Sequence, residues 1–190
     1  FNSMNIYALS SGRGPSGIAI VRVSGKDTLK VCKNLTKLKE ISSNEVNYCK
    51  FYDPKNDKVI DPEALLLWFP GPNSYTGDDL AEFQVHGSNA VINALLKALS
   101  EQDNCRLAEP GEFTKIAFQN DKIDLLKAES IGDLIHAETE LQRDQAVKLV
   151  QGNASNYYND LREKIIKSLA FVEAKICLLY TSPSPRDPRE

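Results

Sequence analysis

The sequence predicts an α+β fold: a mixed sheet-and-helix domain followed by an incomplete all-α domain. Three observations carry that prediction. Short apolar runs punctuated by Gly, Pro and Asn fill the chain up to about Phe118. From Ile123 onward the apolar spacing is helical, with no proline before Pro183. The length of 190 residues suits one domain and part of another. The change of pattern gives expected spans of 4–120, 121–177 and a tail of 178–190.

In chain order, Ile6–Leu9 and Ile18–Val23 read as strands joined by a glycine-rich hairpin loop, and Leu29, Cys32 and Leu35 mark one face of a helix. Phe51–Leu67 reads as a hairpin around the polar stretch Asp53–Asp57. The apolar run Ala64–Phe69 predicts a strand buried on both faces. Leu80–Val85 is the next strand. Ser88 or Asn89 can cap the helix after it, whose Ile92, Leu95, Leu96 and Leu99 share a face. Ile123, Leu126, Ile131, Leu134 and Ile135 define one amphipathic helix of the second half, and Thr139 with Gln142 forms the capping box of another. Tyr157, Leu161, Ile165, Leu169, Val172 and Ile176 then form an apolar stripe with no partner of comparable length, to be covered by a further segment or a second subunit. After Ile176 that pattern stops. Thr181–Glu190 holds three of the nine prolines, and the segment from Leu178 resembles a translated sequencing adapter, so it reads as a non-native tail expected to lie outside the helix.

Composition excludes several classes. With 42% apolar and 26% charged residues the chain is of globular type, and its longest apolar run, Ala64–Phe69, is far too short to span a bilayer. Twenty-three Lys and Arg against 26 Asp and Glu, a net charge of -3, provide no broad basic field, so any RNA contact must be local or made elsewhere. Cys32, Cys49, Cys105 and Cys177 form no C-x-x-C pair and read as reduced, mostly buried thiols; no metal site is expected. The first residues show neither a secretory signal pattern nor an Arg-rich amphipathic presequence.

Most motifs resolve to structural roles. Gly12, Gly14 and Gly17 match G-x-G-x-x-G but precede a strand rather than a helix, so the dinucleotide reading fails. Gly25-Lys26 lacks both the earlier glycine and the Ser or Thr of a phosphate-binding loop. His86-Gly87-Ser88 lacks the glycines of a nucleophile elbow, and His136 reads as a surface or dipole-compensating histidine. No catalytic residue is expected. The informative pattern is Leu80–His86, where Glu82, Gln84 and His86 share one strand face. That face is either solvated or part of a pocket. Arg22, on the face of Ile18 and Ile20, tips the balance, because a guanidinium among buried apolar neighbours needs an anionic partner or ligand. Lys122 by itself reads as a solvated lysine.

Six ordered blocks, Gly17–Gly25, Trp68–Asp79, Val85–Gly87, Ala108–Thr114, Asn120–Leu125 and Ala128–Ile135, closely resemble the MnmE/TrmE family of tRNA modification GTPases, and Asp133–Glu140 is most similar to its mitochondrial branch. The resemblance implies a protein that, with an FAD-dependent MnmG-type partner, installs an aminomethyl-type group on carbon 5 of a tRNA wobble uridine. It also implies a folate one-carbon source, an aminomethyltransferase-like N-terminal domain that forms a homodimer, and 5-formyltetrahydrofolate bound by Arg22, Glu82 and Lys122. The family's GTPase domain, with its GTP and potassium sites, and its C-terminal Cys-x-Gly-Lys motif do not occur in this sequence. Pro15-Ser16 also departs from the small residues common in that loop. A stand-alone folate-dependent aminomethyltransferase and a non-catalytic dimerisation scaffold are the alternatives.

Overall fold

The computed structural model describes residues 4–12 and 14–181. It divides into two compact units between Asp124 and Leu125.

The first unit is built on a six-stranded sheet of β1 (Asn5–Leu9), β2 (Ser16–Ser24), β3 (Val46–Tyr52), β4 (Val59–Phe69), β5 (Leu80–Gly87) and β6 (Cys105–Leu107), in the order β3-β4-β5-β2-β1-β6. All neighbours are antiparallel except β1 and β6, which are parallel. The helices are α1 (Thr28–Thr36), α2 (Asn89–Ser100) and α3 (Glu112–Gln119). Strand parity selects the core. Ala19, Val21 and Val23 of β2, Ala81, Phe83 and Val85 of β5, and Ala64 and Leu66 of β4 pack with Val31, Cys32 and Leu35 of α1 and Ile92, Leu95 and Leu99 of α2 in one cluster. Each Val, Leu, Ile or Phe side chain among these contributes about 1.5–3 kcal/mol by leaving water. Phe51 and Phe83 meet across the sheet with ring centroids 4.9 Å apart.

Because α1 and α2 share one core cluster with same-parity strand residues, the opposite sheet face carries no helix from either of them. Ala64–Phe69 is therefore not buried on both faces: Ala64 and Leu66 are buried, while Leu65 and Leu67 are only half-buried. On the same open face Ile18, Val46 and Tyr48 are exposed. This also corrects the surroundings expected for Arg22, whose neighbours Ile18 and Ile20 are not core residues.

Local signals account for most element ends. Ser88 caps α2 by accepting the Val91 N–H at 3.2 Å. The antiparallel pairing of β1 with β2 makes the glycine-rich segment a hairpin loop. Two elements escape the apolar pattern: β6 is three residues long, and α3 starts after Gly111, which takes the left-handed conformation at φ 74°.

The second unit holds α4 (Leu125–His136), α5 (Glu140–Val150) and α6 (Asn153–Thr181). The capping box of Thr139 and Gln142 is formed, with the Gln142 N–H donating to Thr139 at 3.3 Å. α4 begins after Ile123, and Ile135 is exposed rather than on a covered face. The α6 stripe from Tyr157 to Ile176 is exposed throughout. Contrary to expectation, α6 continues past Ile176 to Thr181, since nothing before Pro183 interrupts a helix. The rest of the expected tail, 182–190, lies outside the described residues. Cys32, Cys49 and Cys105 are buried and Cys177 is exposed. Burial pushes the Cys49 thiol up to about 11.

Candidate functional site

Arg22 of β2 and Glu82 of β5 stand directly opposite in the antiparallel ladder. On the open face, Arg22 Nε and Nη2 donate to Glu82 Oε1 at 3.1 and 2.7 Å. The two side chains are 29% and 20% exposed, so the pair is sheltered yet reachable from solvent. A guanidinium in a strand thus meets its anion across the ladder. Both bonds go to Oε1, so the second carboxylate oxygen, Oε2, takes no part in the pair and keeps its capacity as an acceptor.

Two aromatic rings flank this pair. The Arg22 guanidinium carbon lies 5.6 Å from the Tyr75 ring centroid and 5.8 Å from that of Phe113. Tyr75 belongs to the loop joining β4 to β5, which is cross-tied by its own residues. Asp79 accepts the Gly71 N–H at 2.8 Å, Ser74 Oγ accepts the Gly77 N–H at 3.0 Å and donates to the Asp78 carbonyl, and Thr76 Oγ1 pairs with Ser24 Oγ at 2.7 Å. Phe113 lies in the first turn of α3, beside Thr114, which pairs with Tyr75 Oη at 3.0 Å. That turn is anchored by Glu112, which takes the Glu109 N–H at 2.8 Å and pairs with Arg106. The Arg106 guanidinium holds the Glu112 carboxyl below the usual carboxylate range.

Lys122 occupies the turn after α3, its N–H donating to the Ala117 carbonyl at 2.9 Å. Its side chain is exposed, yet its stem closes on the loop: a Cβ at Gly77 would sit 3.2 Å from Lys122 Cγ and 3.1 Å from Asn120 Cβ. Gly77 also has φ +85°. Gly77→Ala is therefore expected to cost about 1–3 kcal/mol, through left-handed strain and displacement of the Lys122 turn, as a lower urea midpoint.

The three residues expected to bind a ligand thus lie in one unit, Arg22 against Glu82 and Lys122 beyond the loop that carries Tyr75. Sequence reasoning missed Tyr75, Phe113, Asn120 and Asp61 as contributors. Asp61 is fully buried and accepts the His86 backbone N–H at 2.8 Å, His86 Nδ1 at 3.0 Å and the Glu63 N–H at 3.1 Å. The His86 ring it orients borders a cavity of about 130 Å³ lined by Gly17, Ile18, Glu63, Leu65 and Gln84. Among the described residues no group of three or more His, Cys, Asp or Glu could hold a metal ion.

A family model described as the N-terminus of the GTP-binding protein TrmE matches residues 5–122, and one described as the MnmE helical domain matches 125–176. The chain belongs to the MnmE/TrmE family. The tRNA modification GTPase MnmE of Pelagibacter ubique is 59% identical over 173 residues, 91% of this chain and 39% of that protein. A mitochondrial tRNA modification GTPase, gtpbp3 of Dictyostelium discoideum, is 42% identical over 177 residues, covering 90% and 34%. The MnmE of Parvibaculum lavamentivorans is 42% identical over 171 residues, covering 90% and 39%. The chain therefore spans well under half the length of these relatives. Similarity runs to both bacterial and mitochondrial members. Among the described residues no helix is long and apolar enough to cross a membrane.

Proposed function

We propose that this chain is the one-carbon-donor module of a tRNA wobble-uridine modification GTPase, binding 5-formyltetrahydrofolate through Arg22, Glu82 and Lys122. The observation that carries the reading is the partly exposed Arg22–Glu82 pair, with the Tyr75 and Phe113 rings near the guanidinium and with one carboxylate oxygen taking no part in the pair. The pterin presents its 2-amino group and N3–H as adjacent donors, and a carboxylate accepts such a pair. Flat aromatic side chains suit the planar pyrimidine half of the reduced pterin. GTP, potassium, tRNA and the FAD-dependent MnmG-type partner belong, on this reading, to the longer protein of which this chain carries the N-terminal and first helical parts. The mitochondrial setting rests on the Asp133–Glu140 segment and on the similarity to the mitochondrial relative, beside that to the bacterial ones. Calorimetry of 5-formyltetrahydrofolate on the 190-residue chain tests the reading; no saturable heat would return the domain to the non-catalytic scaffold alternative.

We also propose self-association through the first unit, supported by exposed Ile18, Val46 and Tyr48 on the open sheet face. Light scattering is expected to give a dimer mass at tens of micromolar protein, an order of magnitude at which specific contacts persist. A monomer mass there would count against it.

A further inference from the structure

We infer that Asn120 is a positioning residue, the last link of a hydrogen-bonded latch that fixes Lys122 relative to the Arg22–Glu82 pair. The inference rests on the folate reading for its functional consequence and on geometry for the latch itself. Arg22 and Glu82 sit on adjacent strands of the sheet, whereas Lys122 sits on a turn reached through the short β6 and α3. Something must hold that turn in register with the sheet. The chain of contacts begins two residues after Arg22, at Ser24, which is buried and pairs with Thr76 Oγ1 at 2.7 Å. Thr76 is fully buried, and its carbonyl accepts Asn120 Nδ2 at 2.8 Å. Asn120 and Lys122 then pack on the same residue, Gly77, whose missing side chain lets the turn approach.

The chemistry of each link is specific. Ser24 and Thr76 share a hydroxyl–hydroxyl bond, and the hydroxyl whose hydrogen it does not use can donate to the Asp79 or the Asp78 carbonyl, so the buried half of the latch is a connected network. The Asn120 amide is the link that crosses from this network to the turn bearing Lys122. A hydrophobic residue there would keep the helix end, since the Asn120 backbone N–H already donates to the Ile116 carbonyl at 2.9 Å, but would leave the loop untied. Because Asn120 is itself exposed, its removal opens no cavity.

The test is a double-mutant cycle on the whole chain with 5-formyltetrahydrofolate in the calorimeter. Lys122→Ala is expected to weaken binding about fivefold. Asn120→Ala is expected to weaken it about threefold, with the protein still folded at the assay temperature and a modest fall in melting temperature as the Thr76 carbonyl loses its donor. A positioning role requires that Asn120→Ala add nothing in the Lys122→Ala background. Additive losses, or wild-type affinity in Asn120→Ala, would overturn the inference. Failure of the folate reading shows differently, as no binding by the wild type. The latch is then judged without ligand, by amide spectra in which Asn120→Ala shifts Gly77 and Lys122 but not Arg22; unchanged Gly77 and Lys122 signals would overturn it.

Discussion

Replacing Asp61 with alanine is expected to destabilise the first unit by about 3 kcal/mol or more, a loss read as a lower urea midpoint at unchanged slope. The carboxylate is fully buried, and three donors converge on it: the His86 and Glu63 backbone N–H groups and His86 Nδ1. Alanine removes the acceptor and leaves the two backbone N–H groups in a partly buried setting. Each unsatisfied buried donor costs about 1–3 kcal/mol, and the imidazole loses its anchor besides. Asp61→Asn keeps the shape and one acceptor but turns an amide N–H toward a donor, so its loss should be intermediate. His86→Ala should cost less than either, since the ring is 60% exposed and both backbone donors keep their carboxylate. Trp68 is the chain's one tryptophan and lies in β4, so its fluorescence reports this unit. A midpoint for Asp61→Ala within error of the wild type would mean that the carboxylate is dispensable.

Asp61 also shows where sequence reading stops. An acidic residue at the start of an apolar strand looks like a solvated turn residue, and its partner lies 25 positions away. Only the pairing of β4 beside β5, with the irregular register near Phe51, brings the two together. By contrast, period-two parity suffices to place Glu82, Gln84 and His86 on one face, and Arg22 on the face of Ile18 and Ile20. That the two faces are the same, and that Arg22 lies opposite Glu82, depends on a strand pairing spanning 60 positions, which local patterning does not encode. The Ala64–Phe69 run misled for a related reason: hydrophobicity alone does not reveal that α1 and α2 join one core cluster and leave Leu65 and Leu67 half-covered. α3 was illegible because its start depends on the left-handed Gly111 and on the Arg106–Glu112 pair rather than on an apolar stripe. Tyr75 and Phe113 lie in Trp68–Asp79 and Ala108–Thr114, segments that carry the family resemblance. Nothing local marks them as neighbours of Arg22.

Glu82→Gln is expected to weaken 5-formyltetrahydrofolate binding by about 2 kcal/mol or more, roughly thirtyfold, while leaving the fold intact. In the wild type, Oε1 takes both Arg22 donors and Oε2 is left out of that pair. Glutamine can keep its carbonyl oxygen toward Arg22, preserving that contact in weaker, uncharged form. Its amide nitrogen then takes the place of Oε2, to which, on the folate reading, the pterin also presents donors, and donor meets donor. The opposite rotamer would place the amide against the guanidinium, which is worse, because both groups only donate. Neither arrangement serves Arg22 and the ring together. The pair is partly exposed, so its contribution to stability is small and the melting temperature should move little. A large affinity loss without a stability loss is the signature of a ligand-facing carboxylate. Calorimetry on folded wild type and variant decides it, and equal affinities would remove Glu82 from the site and return it to a solvated strand face.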